Sequence, residues 1–165
     1  MSRVSRIVFG SRNSIAGTVY GTIVTMGAIA AGAAEGAGAG TLAAAVAATV
    51  LVLWIAHVYS HALAETVRLG RRIDVTELRS VARRELAIVL AAVAPVAALL
   101  LGELGVLRDV TAGWLAMGFG LAILFLQGIR YASVERLSPA GTAVAVGVNL
   151  GLGLIIVGLK AGLGH

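Results

Sequence analysis

Five apolar runs, each close to the length that crosses a bilayer, follow one another along this chain and exclude most soluble folds. A membrane-spanning helix needs about 20 predominantly apolar residues. Short polar segments separate the runs, which lack the strict alternation of membrane β-barrel strands. The sequence therefore predicts an all-α polytopic transmembrane bundle, a single domain with five spans at residues 14–34, 41–64, 86–107, 112–129 and 140–159.

The composition supports a membrane protein and restricts its chemistry. Hydrophobic residues make up 59% of the chain and charged residues 13%, which leaves too little polar surface for a soluble domain of this length. Cysteine is absent, which excludes disulfides, thiolate metal sites and thiol catalysis. The 22 glycines favour closely packed helices, and pairs such as Gly17 with Gly21 and Gly147 with Gly151 suit a homo-oligomer, for which we expect a dimer.

The distribution of basic residues predicts the orientation of the spans. With the N-terminus inside, only Arg108 and Lys160 of the 13 basic residues lie outside, as the positive-inside rule requires. These charges also suit anionic lipid headgroups, and we expect the plasma membrane as the location. The 11 inner residues are Arg3, Arg6, Arg12, Arg68, Arg71, Arg72, Arg79, Arg83, Arg84, Arg130 and Arg136.

The first apolar run has a competing interpretation as a cleaved secretory signal. Arginines precede it, and small residues such as Ala28 and Ala30 follow. The run is longer than a usual signal core, however, and its glycines suit helix packing. We therefore expect it to be retained as a span.

The segment 67–85 is the one substantial polar stretch between the spans. Asp74 and Glu77 form a D-x-x-E pattern, which is typical of a helix start. Apolar residues then recur at helical spacing, with arginines mostly on the other side. We interpret the segment as a basic amphipathic helix on the cytosolic membrane face that runs into the third span. The alternative is that the third span simply starts early.

The second span carries the best candidate site. His57, His61 and Glu65 are spaced i, i+4, i+8, which places them on one helix face in the cytosolic half. Neutral imidazole and carboxylate groups bind transition metals or pass protons. One helix cannot complete a coordination shell, so further ligands would come from another span or subunit. Alternatively, the histidines hydrogen-bond to neighbouring helices and Glu65 is solvated.

The fourth span repeats this spacing at the same depth. Gln127, Tyr131 and Glu135 are again i, i+4, i+8, and they could line one cavity together with the second span. Tyr20 of the first span also lies in the cytosolic half and could join that cavity. Tyr131 is otherwise an interfacial anchor.

Several functions lack support in the sequence. The chain contains no P-loop, nucleophile elbow, H-E-x-x-H or dinucleotide fingerprint, so we expect no enzyme. Its basic residues lack the interleaved aromatic residues of nucleic-acid readers, so we expect no nucleic-acid partner.

With this topology, the chain resembles the vacuolar iron transporter family. The stretch LAILFLQGIRYASVERLSPAGTAVAVGVNLGLGLIIVGLK is similar to that family's final two helices, and Tyr59 and Ser60 match its Gly-Glu-Tyr-Ser segment, with His57 near the position of Glu. The chain departs from the family at Asn13-Ser14, where the family has Asp-Gly, and lacks its Glu-rich cytosolic insert. The resemblance implies a dimer that exports a divalent metal ion against protons.

Three functions follow as hypotheses. The first is a small transporter or channel for a cation, a divalent metal ion or a proton, with its site at His57, His61 and Glu65. The second is a non-transporting structural or accessory membrane subunit. The third, ranked last, is a membrane haem or lipid-binding protein in which His57 or His61 ligates haem.

Overall fold

The computed structural model describes residues 12 to 163, and within that range the chain is an all-α bundle of five helices. Arg3 and Arg6, which contributed to the predicted charge asymmetry, lie outside the described residues. Each helix is long and apolar enough to cross a membrane, so the chain is a multi-pass membrane protein. In chain order the helices are α1 (Arg12–Ala34), α2 (Ala39–Leu69), α3 (Val75–Glu103), α4 (Asp109–Val134) and α5 (Pro139–Leu163).

Helix α1 is the centre of the bundle. It packs against α2, α3, α4 and α5, whereas α2 packs mainly on α3 and α5 mainly on α4. This central position supports the expectation that the first apolar run is a span. Large, fully buried apolar side chains on α1 and on the helices around it form the core: Met26, Ile29, Val46, Val50, Ile88, Leu99, Met117 and Leu124.

The arginine-rich end of the bundle, formed by the loops after α2 and α4, is called the basic end below. Here α2 continues beyond the predicted span until Gly70, whose φ of 64° ends the helix in the left-handed region. Asp74 and Glu77 form the predicted capping box at the start of α3. Arg71 donates two hydrogen bonds to the Glu77 carboxylate, which raises the pKa of Arg71.

The segment 67–85 is divided between two helices. Its first residues complete α2, and its last residues are the first turns of α3, which runs unbroken from Val75 into the third span. A helix that runs from this segment into the third span is therefore what the structure shows, and the location of its first turns on the membrane face stays a prediction. The physical reason is the capping box, which starts one continuous helix at Asp74.

At the opposite end, a carboxylate from α4 caps α2. The N-cap residue Gly38 has no side chain to accept a hydrogen bond, and Asp109 Oδ2 accepts one from the backbone N–H of Ala39 at 3.3 Å. Asp109 thus satisfies a free N–H of α2 and places negative charge at its N-terminus.

This contact predicts the effect of substituting Asp109 by Ala. We expect a free energy of unfolding about 1 kcal/mol lower, because the α2 N-terminus loses its acceptor. Reversible unfolding in mixed detergent micelles measures this change. Glu35→Ala removes an exposed acid from the same end, where its side chain makes no hydrogen bond among the described residues, and should leave stability unchanged. Equal losses in the two variants would contradict the capping role.

Candidate functional site

A groove of about 280 Å³ opens at the basic end between α1, α2 and α3. Small side chains on α1 leave the space for it. At the next turn of α1, Gly21 lets the helix pack directly against the α3 backbone, where an added Cβ would lie only 2.9 Å from Ile88 Cα. The residues that line the groove are Ala16, Gly17, Tyr20, His57, His61 and Glu85.

His57 lies at the centre of this groove. Its ring is tilted by 43° against the Tyr20 ring, with the centroids 5.1 Å apart. His57 Nδ1 is 3.2 Å from the backbone oxygen of Leu53. Because a carbonyl oxygen only accepts hydrogen bonds, this contact requires the proton on Nδ1, which leaves the lone pair of Nε2 for another partner.

His61 connects α2 to α3 through Glu85. Its Nδ1 is 3.2 Å from Glu85 Oε1, and its ring lies edge-on to His57 with the centroids 6.2 Å apart. The Glu85 side chain is 12% exposed and that of His61 is 55% exposed, so the carboxylate is on the protein side of the pair. Tyr20, His57, His61 and Glu85 therefore form a chain of neighbouring ionisable groups across three helices, related by two ring contacts and by the His61–Glu85 pair.

Glu65 faces a second cavity of about 260 Å³, which also contains His61 and Glu85 on its wall. Its carboxylate accepts two hydrogen bonds from Arg68, one of them from Nε at 3.1 Å. The structure thus pairs His61 with Glu85 and Glu65 with Arg68.

The predicted metal ligands are consequently divided. Within residues 12–163, no three His, Asp or Glu side chains are grouped closely enough to hold a metal ion. His57 and His61 share the groove, whereas Glu65 is paired with Arg68. That His57, His61 and Glu65 bind a metal ion stays a prediction.

The polar stripe of α4 lies on the other side of α1. Tyr131 and Glu135 line a separate groove of about 450 Å³ together with Tyr20 and Asn149. The sequence predicted one cavity lined by both the second and the fourth spans. The structure instead has two separate grooves, and Tyr20 lines both of them. The physical reason is the central position of α1, which packs against both α2 and α4, while those two helices barely touch.

Gln127 lines neither of the two grooves that share Tyr20. Its Oε1 is buried and accepts no hydrogen bond from the part of the protein that the structure describes. One turn further along α4, Arg130 donates a hydrogen bond to Ser14 Oγ at 3.3 Å. This bond joins α4 to α1 at the basic end.

The groove that contains Tyr20, His57, His61 and Glu85 is called the first groove, and these four groups determine its possible chemistry. Two imidazoles, a carboxylate and a phenol supply proton donors and acceptors near neutral pH, and the imidazole nitrogens and carboxylate are also ligands for divalent metals. Glu85 is the member that sequence reasoning missed, and the only signal for it was an acid directly before the third apolar run.

Comparisons of the chain with protein-family models, curated proteins and solved structures find no match.

Proposed function

We propose that the protein is a small membrane transporter for a cation, either a proton or a divalent metal ion. The observation that carries the proposal is the chain of Tyr20, His57, His61 and Glu85 around an open groove at the basic end. Ionisable groups within apolar spans are costly, and proteins retain them chiefly where ions or protons are handled. Under the positive-inside rule, this groove faces the cytosol.

The packing beyond the groove favours a transporter over an open channel. Large apolar side chains that are at most 2% exposed fill the bundle beyond Tyr20, including Met26, Val46 and Leu99. An ion that enters the groove can therefore cross only after the helices change their packing, as alternating access requires.

An accessory membrane subunit is the second candidate function, and the same closed core favours it. A subunit of this kind needs stable packing surfaces rather than a path for ions. A partner protein that remains bound through purification, together with absent ion flux, would support this role.

Other expectations belong to the same proposal. We expect a non-enzymatic protein of the plasma membrane that contacts anionic headgroups and forms a homodimer. Dimerisation would supply the ligands that one copy lacks if the cargo is a metal ion. The resemblance to vacuolar iron transporters stays a prediction.

The test is ion flux in proteoliposomes, with His57→Ala/His61→Ala compared with the unchanged protein. We expect flux of protons, or of iron, manganese or zinc ions, to fall at least about tenfold in the double variant, because both imidazoles of the groove are lost. Tyr59→Ala is the matched control, since Tyr59 lies on α2 between these histidines but is 68% exposed. It should retain full flux.

Elemental analysis of the purified protein distinguishes the two cations. A stoichiometric metal that disappears in the double variant would identify a metal ion, whereas flux of protons without bound metal would identify a proton. Flux that is unchanged in the double variant would contradict the assigned site. Flux that is absent from the unchanged protein would favour the accessory subunit.

A further inference from the structure

The arginines near the start of α3 fall into two groups. Arg68, Arg71 and Arg84 are used within the protein, where they donate hydrogen bonds to Glu65, Glu77 and Ser80 respectively. Arg72, Arg79 and Arg83 are exposed, and among the described residues no hydrogen bond or ion pair involves their side chains. Three positive charges near the start of α3 are therefore available to a ligand.

Arg79 and Arg83 share one face of α3. They are four residues apart, which places their Cβ atoms about 5–6 Å from each other on the helix surface. The helix positions one turn away on either side carry no acid: they are Val75, Thr76, Ser80, Ala82, Leu86 and Ala87. The positive charge of this face is thus not neutralised by its own helix.

The same face continues into the membrane as exposed hydrocarbon. Leu86, Leu90 and Val93 follow Arg83 at helical spacing, and they are 41%, 45% and 55% exposed. The change from guanidinium groups to apolar side chains therefore occurs within one turn. A phospholipid presents the matching groups in the same order, with a phosphate at the interface and acyl chains below it.

We infer that Arg79 and Arg83 form a binding site for an anionic phospholipid in the leaflet at the basic end. The two guanidinium groups hold the phosphate, since arginine presents paired N–H donors that match phosphate oxygens. An acyl chain lies along Leu86 and Leu90. This site is separate from the groove of His57 and His61, and it does not depend on the proposed transport function.

The experiment is native mass spectrometry of the detergent-purified protein titrated with phosphatidylglycerol or phosphatidylcholine. The unchanged protein should bind phosphatidylglycerol more tightly than phosphatidylcholine. In Arg79→Gln/Arg83→Gln, the affinity for phosphatidylglycerol should fall about tenfold or more, because each basic residue near an anionic lipid surface contributes substantially to binding. Both side chains are exposed, so the variant should keep the melting temperature of the unchanged protein.

The matched control is Arg72→Gln/Arg108→Gln, which removes the same charge from two loop positions away from this face. It should bind phosphatidylglycerol as tightly as the unchanged protein. Equal losses in the two double variants would show a diffuse charge effect and overturn the site. Phosphatidylcholine that binds as tightly as phosphatidylglycerol would also overturn it.

A soluble headgroup tests the contribution of the acyl chain. Glycerol phosphate should not displace bound phosphatidylglycerol, because it lacks the chain that contacts Leu86 and Leu90. Displacement by glycerol phosphate at comparable concentration would indicate a site for soluble phosphates instead, and it would contradict the lipid site.

Discussion

Substituting Gly21 by Ala should lower the free energy of unfolding by about 3 kcal/mol, at the upper end of typical overpacking effects. A Cβ at this position would lie 2.5 Å from the backbone oxygen of Ile88 and 2.9 Å from its Cα. Backbone atoms of a helix cannot rotate away as a side chain can. The added methyl group therefore forces α1 and α3 apart along their whole contact, which also contains the Tyr20 groove.

Gly27→Ala is the matched control, because it makes the same change in the same helix. No atom outside its local helix lies within 4 Å of a Cβ placed at Gly27. Alanine also has a higher helix propensity than glycine, so Gly27→Ala should leave stability unchanged or raise it by up to about 1 kcal/mol. Equilibrium unfolding in mixed micelles compares the two variants. Equal stabilities would contradict the close α1–α3 contact.

The fold was largely predictable because apolar runs and helix-start patterns are both visible in the sequence itself. The five apolar runs predicted the helices, and the D-x-x-E pattern predicted the start of α3 at Asp74. The end of α2 was not predicted. Hydropathy falls after Ala64, but the helix continues through good helix formers such as Glu65 until Gly70. Hydropathy indicates what lies in the bilayer, whereas capping determines where a helix ends.

The site was only partly predictable. The i, i+4 spacing of His57 and His61 placed both rings on one face of α2, and the structure brings them together. No pattern within one helix indicates which residue of another helix will face them. The pairing of His61 with Glu85 depends on the rotation and depth of α3 relative to α2, and therefore on contacts between helices such as the one that Trp54 makes. Trp54 donates a hydrogen bond to the backbone oxygen of Ala82, one turn before Glu85.

The same dependence explains why the second and fourth spans do not share one cavity. Both spans repeat the same polar spacing at the same predicted depth. Their separation follows from the order in which helices surround α1, and this order is a property of interhelical contacts rather than of either sequence pattern.

Under the proposed function, Glu85→Gln should reduce ion flux at least about tenfold. The amide has nearly the same shape as the carboxylate, but it carries no charge and neither takes up nor releases a proton. His61 then loses its acidic partner while the groove keeps its volume. Glu77→Gln is the control on the same helix. It removes a carboxylate that accepts hydrogen bonds from Arg71 and does not line the first groove. The Glu77→Gln variant should retain flux.

Exchanging His61 and Glu85 tests whether ion flux requires this particular pair or only the presence of charge in the groove. In His61→Glu/Glu85→His, the imidazole lies on α3 and the carboxylate on α2, and the contact of 3.2 Å between them can form in the opposite direction. Each single substitution should abolish flux. His61→Glu leaves two acids facing each other, and Glu85→His leaves two imidazoles facing each other. The exchanged variant should recover part of the flux, because the groove again contains one acid and two imidazoles. No recovery in a folded variant would mean that the carboxylate acts from α3 alone, and flux that survives the single substitutions would remove Glu85 from the site.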